Sequence, residues 1–114
     1  MVYFNGSLRV RVIEGADLKP TDFLTRNPLG PRLMTLDPYV TVDVDEVEFG
    51  RTTIKPKTLS PKWGEEMSSE VVNGQMLGLT VYHSSSLPPD DYVANTTLTF
   101  DQLKPDLDTW VFTL

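Results

Sequence analysis

Residues 40–47 read Val-Thr-Val-Asp-Val-Asp-Glu-Val, and their valines alternate with polar residues up to position 44. Alternation with a period of two places the valines on one face of a β-strand and the polar residues on the other face. The pair Asp45-Glu46 interrupts the alternation before a second run over 47–55, so this stretch predicts a β-hairpin. A hairpin with one apolar face has to pack that face against another layer, which is typical of all-β domains.

The same periodicity recurs along the rest of the chain. Residues 8–12 alternate in this way, and the pair Asn73-Gly74 suits a tight turn between two further runs. Helical character is confined to one turn at 101–104, which Pro105 ends. The remaining β runs are 67–72, 77–82, 93–100 and 110–114. Together the runs predict an all-β antiparallel β-sandwich of seven to eight strands, as one domain over residues 1–114.

The composition excludes several classes of function. The 114 residues include 10 Lys and Arg, 16 Asp and Glu, one His and no Cys, for a net charge of −6. Disulfide frameworks, cysteine-based metal sites and cysteine nucleophiles are therefore excluded, and one histidine cannot build a multi-histidine metal site. A glycine-rich phosphate loop and a Gly-x-Ser-x-Gly motif are also lacking, so we expect neither catalysis nor a cofactor. Apolar runs are too short for a membrane span and no signal-peptide core follows Met1, so a cytoplasmic module is expected.

Basic side chains are concentrated in the first part of the chain, where residues 1–62 hold nine of the ten. Arg51, Lys55 and Lys57 share one parity along the predicted strand, and Lys62 is nearby, so they predict a small basic face. The alternative is a solvated strand face that keeps the protein soluble. Three or four cations without interleaved aromatic residues, in a protein of charge −6, exclude a nucleic-acid partner.

Several motifs resemble a known family. Phe4-Asn5-Gly6 opens the first run, Asp37-Pro38-Tyr39-Val40 follows a long loop, and Val93-Ala94-Asn95 begins the sixth run. In this combination they resemble the amino-terminal C2 domain of the calcium-independent protein kinases C of the epsilon and eta type, over most of residues 1–103. The resemblance implies a C2-type sandwich with circularly permuted, phospholipase-like topology, and a regulatory module that is not itself an enzyme.

The resemblance weakens towards the carboxyl terminus. Members of the family continue past the strand at Trp110 into one further strand, which this chain lacks. The sequence is therefore truncated or redesigned, or Trp110–Leu114 takes the place of the last strand. An engineered or reconstructed C2 scaffold is a further interpretation. A missing strand would leave an open sheet edge, which favours pairing with another chain, so an edge-strand dimer is a hypothesis.

The long loop over 17–36 and the loop near residue 87 are the predicted lipid-binding elements, because the first and third loops of epsilon-like domains face the lipid. Apolar side chains there would insert into an anionic phospholipid membrane, and arginines would contact its head groups. The alternative is that the apolar side chains fold back and seal the end of the sandwich. The predicted lipid-binding residues are Phe23, Leu24, Arg26, Arg32 and Leu87.

Calcium binding is not expected. Calcium-dependent C2 domains supply aspartates from the first loop, from the Asp-Pro-Tyr motif and from the third loop, and here Asp22, Asp37 and Asp91 match three of these positions. The two central third-loop positions are His83 and Ser85 instead. A Ca²⁺ site needs about six to eight oxygen ligands, so this remnant lacks two carboxylates. An aspartate before a proline, such as Asp37, also commonly caps its own turn.

Docking onto an anchoring protein is the second function that the resemblance implies. In epsilon-like kinases two stretches of this domain are associated with a receptor for the activated enzyme, and they correspond to 14–21 and 83–91 here. The first stretch retains Glu14, Leu18, Lys19, Pro20 and Thr21. The alternative is an ordinary strand exit followed by a Pro-Thr turn. The leading prediction is calcium-independent phospholipid targeting of a protein kinase C-like enzyme, cytoplasmic at rest and peripheral to the membrane on activation.

Overall fold

The structure, a computed structural model, describes residues 3–16, 18, 36–85, 88–100 and 109–113. These residues form seven β-strands, and among them no helix is long and apolar enough to cross a membrane. Each of the seven predicted β runs corresponds to one strand, which confirms the all-β fold class. The strands are β1 (Phe4–Glu14), β2 (Pro38–Val44), β3 (Val47–Arg51), β4 (Lys62–Gly74), β5 (Met76–His83), β6 (Asp91–Thr99) and β7 (Thr109–Thr113).

The strands form two sheets, one of order β4-β1-β7 and one of order β3-β2-β5-β6. Neighbouring strands are antiparallel except for β1 and β7, which are parallel, with Arg9 opposite Thr109. The expectation of purely antiparallel pairing is therefore wrong for β7. The chain passes from β6 in one sheet to β7 in the other, and a crossover of this kind can return a strand parallel to its neighbour.

The core lies between the two sheets and is built from the alternating apolar positions that the sequence indicates. Strand β1 contributes three side chains to it, β2 contributes two and β5 contributes three, each at most 3% exposed. Burial of a side chain of this size stabilises the fold by roughly 1.5–3 kcal/mol. The residues are Leu8, Val10, Val12, Val40, Val42, Leu77, Leu79 and Val81.

The predicted hairpin turn is confirmed between β2 and β3. Asp45 (φ 50°) and Glu46 (φ 70°) both lie in the left-handed region, as a two-residue turn between twisted strands requires. The carboxylate of Asp45 also accepts hydrogen bonds from the backbone N–H groups of Gln75 and Met76. Asn73 has a φ of 53°, so it supplies the turn that leads from β4 into β5. Asp45 thereby joins the two turns at one end of the sandwich.

Two strand boundaries differ from the sequence prediction. Strand β3 ends at Arg51 rather than at residue 55, and β4 begins at Lys62 rather than at residue 67. After β3 the chain leaves the regular ladder but stays beside β2, where the N–H of Thr52 donates to Val40 O (2.8 Å) and the N–H of Lys55 donates to Pro38 O (3.1 Å). These single hydrogen bonds keep residues 52–58 close to the start of β2.

Candidate functional site

The candidate site lies at the end of the sandwich where residues 36–37, 52–61 and 84–85 meet, which we call the loop end. Strand β2 begins there, β5 ends there and β6 begins there. The antiparallel register places Pro38 opposite His83, and His83 opposite Asp91. Asp37, His83 and Asp91 therefore lie at the same end of one sheet.

Asp37 links the three connections of the loop end. Its backbone N–H donates to Nδ1 of His83 (3.0 Å), and its backbone oxygen accepts from the N–H of Ser84 (3.0 Å). Its carboxylate oxygen Oδ1 accepts from the N–H of Lys57 (2.8 Å). The carboxylate thus binds the backbone of the connection between β3 and β4 rather than capping its own turn. Because Nδ1 of His83 accepts a hydrogen bond, the ring proton of the neutral imidazole is on Nε2.

A second set of contacts, which the sequence analysis missed, holds the connection between β5 and β6. The hydroxyl of Tyr39 donates to Oδ2 of Asp90 (2.5 Å), and the backbone N–H of Ser85 donates to Oδ1 of the same carboxylate (2.9 Å). The ring of Tyr39 stacks on Tyr82 with 5.7 Å between centroids, and the guanidinium of Arg51 lies 5.5 Å from its centroid. Asp90 therefore holds the backbone of Ser85 close to Tyr39 on the face of the four-stranded sheet.

These contacts shift two pKa values in opposite directions. Burial, followed by the hydrogen bond and the negative charge of Asp90, raises the pKa of Tyr39 to about 12. The N–H of Ser85 and then the hydroxyl of Tyr39 hold the pKa of the Asp90 carboxyl below its ordinary value. The contribution of Tyr39 to stability is therefore complete below its ordinary pKa of 10.0 and is lost as the pH rises through about 12. That of Asp90 is present above its ordinary pKa and is lost as the pH falls through the lowered value.

We expect the substitution Asp90→Asn to lower the pKa of Tyr39 without returning it to 10.0, because burial, the largest cause of the shift, remains. The measurement is a spectroscopic pH titration of the phenolate absorbance. The difference between the titration curves of proteins with Tyr39 and with Tyr39→Phe isolates the titration of this residue. Tyr92→Phe is the control, since Tyr92 is exposed and its hydroxyl donates to Oδ1 of Asn95 rather than to Asp90. An unchanged Tyr39 titration in Asp90→Asn would contradict the assigned contact.

The four residues of the predicted basic face lie on different elements of the structure. Strand β3 ends at Arg51, so strand parity does not extend to Lys55 and Lys57, and this premise of the prediction is wrong. Arg51 forms a salt bridge with Glu48 (3.0 Å), Lys57 lies in a turn with a φ of 52°, and Lys62 begins β4. A shared basic face of these residues stays a prediction.

The predicted docking stretch contributes to the fold where it is described. Glu14 ends β1 opposite Lys62 of β4. The backbone N–H of Leu18 donates to Leu59 O (2.9 Å), and the Leu18 side chain packs against the core. Lys19, Pro20 and Thr21 lie outside the described residues. Protein docking through 14–21 therefore stays a prediction.

The predicted lipid-binding residues and one predicted calcium ligand lie outside the part of the chain that the structure describes. They are Phe23, Leu24, Arg26, Arg32, Leu87 and Asp22. Among the described residues, no three His, Asp or Glu side chains come together as metal ligands. Since Asp22 is not among them, the absence of a calcium site stays a prediction.

Comparison with known proteins identifies the relatives of this chain. A family model of the C2 domain matches residues 6–112. Protein kinase C epsilon type from Rattus norvegicus is 43% identical over 105 residues, which cover 90% of this chain and 14% of that protein. Protein kinase C eta type from Homo sapiens is 46% identical over 103 residues, which cover 88% of this chain and 15% of that protein. The chain thus spans about a seventh of these kinases.

Solved structures show the same fold. A C2 domain of plant Extended Synaptotagmin 1 is similar with a TM-score of 0.66 and 25% identity, over 85% of this chain and 70% of that one. Human GIVD cytosolic phospholipase A2 is similar with a TM-score of 0.71 and 22% identity, over 94% of this chain and 15% of that one.

Proposed function

Since this chain belongs to the C2 domain family and is homologous to the C2 regions of protein kinases C epsilon and eta, we propose that it targets a protein kinase C-like enzyme to anionic phospholipid membranes without calcium. In this role it is a non-catalytic regulatory domain that binds from the cytoplasm and associates peripherally with the membrane on activation. The observation that carries the calcium independence is the set of hydrogen bonds around Asp37 and His83.

These hydrogen bonds use the groups that a calcium ion would need. A Ca²⁺ site in proteins is built from about six to eight oxygen ligands, most of them from carboxylates and carbonyls. Here Oδ1 of Asp37 already accepts the N–H of Lys57, and position 83 supplies an imidazole whose Nδ1 accepts the N–H of Asp37. Imidazole nitrogen is a poor ligand for a hard cation, and Ser85 adds a hydroxyl rather than a negative charge. The hydrogen bonds hold the loop end together in the place of the metal.

The lipid contact would come from the first and third loops. Phe23, Leu24 and Leu87 each gain roughly 1.5–3 kcal/mol if they are fully buried in the acyl region. Each arginine or lysine near an anionic surface adds about 1 kcal/mol, and Lys57 at the loop end is exposed and so available to join Arg26 and Arg32. Asp22 and Asp90 oppose this attraction. The balance favours reversible binding that depends on anionic lipid.

Liposome sedimentation tests the proposal with the chain as it is. We expect the protein to pellet with phosphatidylcholine vesicles that contain phosphatidylserine or phosphatidic acid, equally in EDTA and in Ca²⁺. The double substitution Phe23→Ser and Leu87→Ser should reduce the partition coefficient at least about tenfold, because two buried apolar side chains are lost. Pelleting that requires Ca²⁺, or that is equal on vesicles of phosphatidylcholine alone, would contradict the proposal.

A matched control is available at the opposite end of the sandwich. Val47 and Val72 are 71% and 80% exposed, so the double substitution Val47→Ser and Val72→Ser removes the same number of apolar side chains without disturbing the core. We expect vesicle binding to be unchanged in this variant. An equal loss of binding in both double variants would show that the loop end is not the lipid-binding surface.

A further inference from the structure

Two asparagine-glycine pairs meet at the end of the sandwich opposite the loop end. Asn5-Gly6 lies in β1 and Asn73-Gly74 ends β4. The two strands are paired there, and the backbone N–H of Asn73 donates to Oδ1 of Asn5 (2.8 Å). Asn73 has a positive φ and Asn5 does not. Identical dipeptides therefore lie side by side in different backbone conformations, and the fold gives them different reactivity.

An asparagine that precedes glycine can react with its own backbone. The backbone nitrogen of the glycine loses its proton to the solvent and attacks Cγ of the asparagine side chain, so that a new N–C bond forms. The bond between Cγ and the amide nitrogen breaks, and this nitrogen takes up a proton and leaves as ammonia. Water then opens the five-membered succinimide at either carbonyl, which gives aspartate or isoaspartate. Glycine favours the reaction because it has no side chain to obstruct the attack.

The backbone conformation at Asn73 opposes this reaction. Its φ of 53° lies in the left-handed region, where ψ is about +30° to +60°. The nitrogen of Gly74 is then directed away from the Asn73 side chain, and the Cα–C bond must rotate by more than about 90° before the nitrogen reaches Cγ. Gly74 is buried, and a Cβ there would meet Val71 at 2.6 Å and Val44 at 3.1 Å. This close packing prevents the rotation while the domain stays folded.

The surroundings of Asn5 restrict its backbone much less. Asn5 is exposed, and a Cβ at Gly6 would meet nothing within 4 Å. The register between β1 and β4 is also irregular between Phe4 and Gly6. Strand β1 pairs with its other described neighbour, β7, only from Arg9 onwards. In the described part of the chain, the backbone around Asn5 is therefore paired on one side only, and its local opening disturbs few contacts.

The hydrogen bond between the two asparagines also activates Asn5. The acceptor is the side-chain carbonyl oxygen of Asn5, and the donor is the backbone N–H of Asn73. A donated hydrogen bond draws electron density away from Cγ, which makes this carbon more open to attack. It also stabilises the negative charge that develops on the oxygen as the new bond forms, as donors in an oxyanion hole do.

We propose that Asn5 is a site of spontaneous deamidation in the folded protein, and that the fold protects Asn73 from the same reaction. Isoaspartate at position 5 would add a methylene to the backbone of β1 next to Phe4, whose ring stacks on Phe100 with 5.1 Å between centroids. The start of the first strand would then lose this contact or change its register. Aspartate at position 5 would add a charge alone, since its carboxylate still accepts the N–H of Asn73.

The test is peptide mapping by mass spectrometry after incubation of the full chain at mildly alkaline pH. In the folded protein we expect Asn5 to convert at least about tenfold faster than Asn73, because Asn73 reacts only after local unfolding. In urea that unfolds the chain the two rates should agree within about twofold, since both asparagines then precede glycine in a chain without the native packing. Asn27 and Asn95 are internal controls, because they precede proline and threonine.

Three results would overturn the proposal. The first is conversion of Asn73 as fast as that of Asn5 in the folded protein. The second is conversion of Asn5 no faster than that of Asn95. The third is an equal advantage of Asn5 over Asn73 in urea, because the sequence rather than the fold would then cause it.

Two substitutions at the exposed position 5 complete the test. A protein isoaspartate methyltransferase transfers a methyl group from S-adenosylmethionine to isoaspartate, and we expect Asn5→Gln to lose most of the methyl acceptance of the incubated protein. Freshly prepared Asn5→Asp carries the charge without the extra methylene. It should keep the urea midpoint of the unmodified protein, whereas the isoaspartate form should unfold at lower urea. Full methyl acceptance in Asn5→Gln would overturn the site, and equal midpoints of the aspartate and isoaspartate forms would overturn the proposed effect on β1.

Discussion

Replacing Trp63 by alanine is expected to lower the free energy of unfolding by about 3–5 kcal/mol, since removal of a large buried aromatic side chain leaves a cavity. Trp63 is 6% exposed and belongs to the core cluster, and its indole N–H holds Thr53 O at 3.1 Å. The loss would be a large fraction of the roughly 5–15 kcal/mol that stabilises a typical domain. Urea denaturation followed by circular dichroism measures it.

Trp63→Phe is the matched comparison for this residue. It retains most of the buried aromatic surface but removes the donor to Thr53, so we expect a smaller loss of about 1–2 kcal/mol. The two variants together separate packing from the hydrogen bond. If Trp63→Phe lowers the free energy of unfolding as much as Trp63→Ala does, packing of the indole against the core is not the main source of its stabilisation.

The second large effect is a gain of calcium binding. Replacing His83 and Ser85 with aspartate supplies two carboxylates at the loop end beside Asp37 and Asp91. We expect the calcium affinity measured by calorimetry to rise at least about 100-fold, because the number of charged oxygen ligands sets the affinity of such sites. Binding to anionic vesicles should then respond to Ca²⁺, unlike binding of the unsubstituted chain.

The variant with His83→Asn and Ser85→Asn is the control, because asparagine matches aspartate in size and in its carbonyl oxygen but lacks the charge. It should bind calcium no more tightly than the unsubstituted chain. Calcium affinity that stays unchanged in the aspartate variant would show that the loop end does not provide a remnant of a calcium site. Tight binding by the unsubstituted chain would contradict the proposed calcium independence directly.

The fold was largely predictable because apolar and polar residues alternate with a period of two in the strands that form the core. The alternating valines of β2 and the turn at Asp45-Glu46 specify a hairpin with one buried face, and both features are present. The start of β4 was not predictable, since residues 62–66 are mostly polar and their strand conformation comes from pairing with β1, where Glu65 lies opposite Val12 and Glu66 lies opposite Arg11. The parallel pairing of β7 with β1 was also missed, because side-chain alternation is the same for either strand direction.

Less of the candidate site could be predicted. The motif around Asp37 indicated the start of a strand, and β2 begins at Pro38. The carboxylate of Asp37, however, accepts a hydrogen bond from the amide of Lys57, a partner twenty positions away that no local pattern reveals. Asp90 and Asp91 are adjacent in the sequence, and only the side-chain geometry shows that Asp90 binds Tyr39. Whether Phe23 and Leu87 contact lipid or seal the end of the sandwich depends on the conformation of their loops, which hydrophobic periodicity does not determine.

The pairing of β1 with β4 has a kinetic consequence. Phe4 faces Gly74, so the first strand finds its partner only after more than half of the chain is available. Closing so long a loop costs entropy before any contact compensates for it, and domains dominated by such distant pairings fold in milliseconds to seconds. During synthesis, β1 would therefore remain unpaired, with its apolar face exposed, until β4 emerges from the ribosome. The hairpin of β2 and β3 can form earlier.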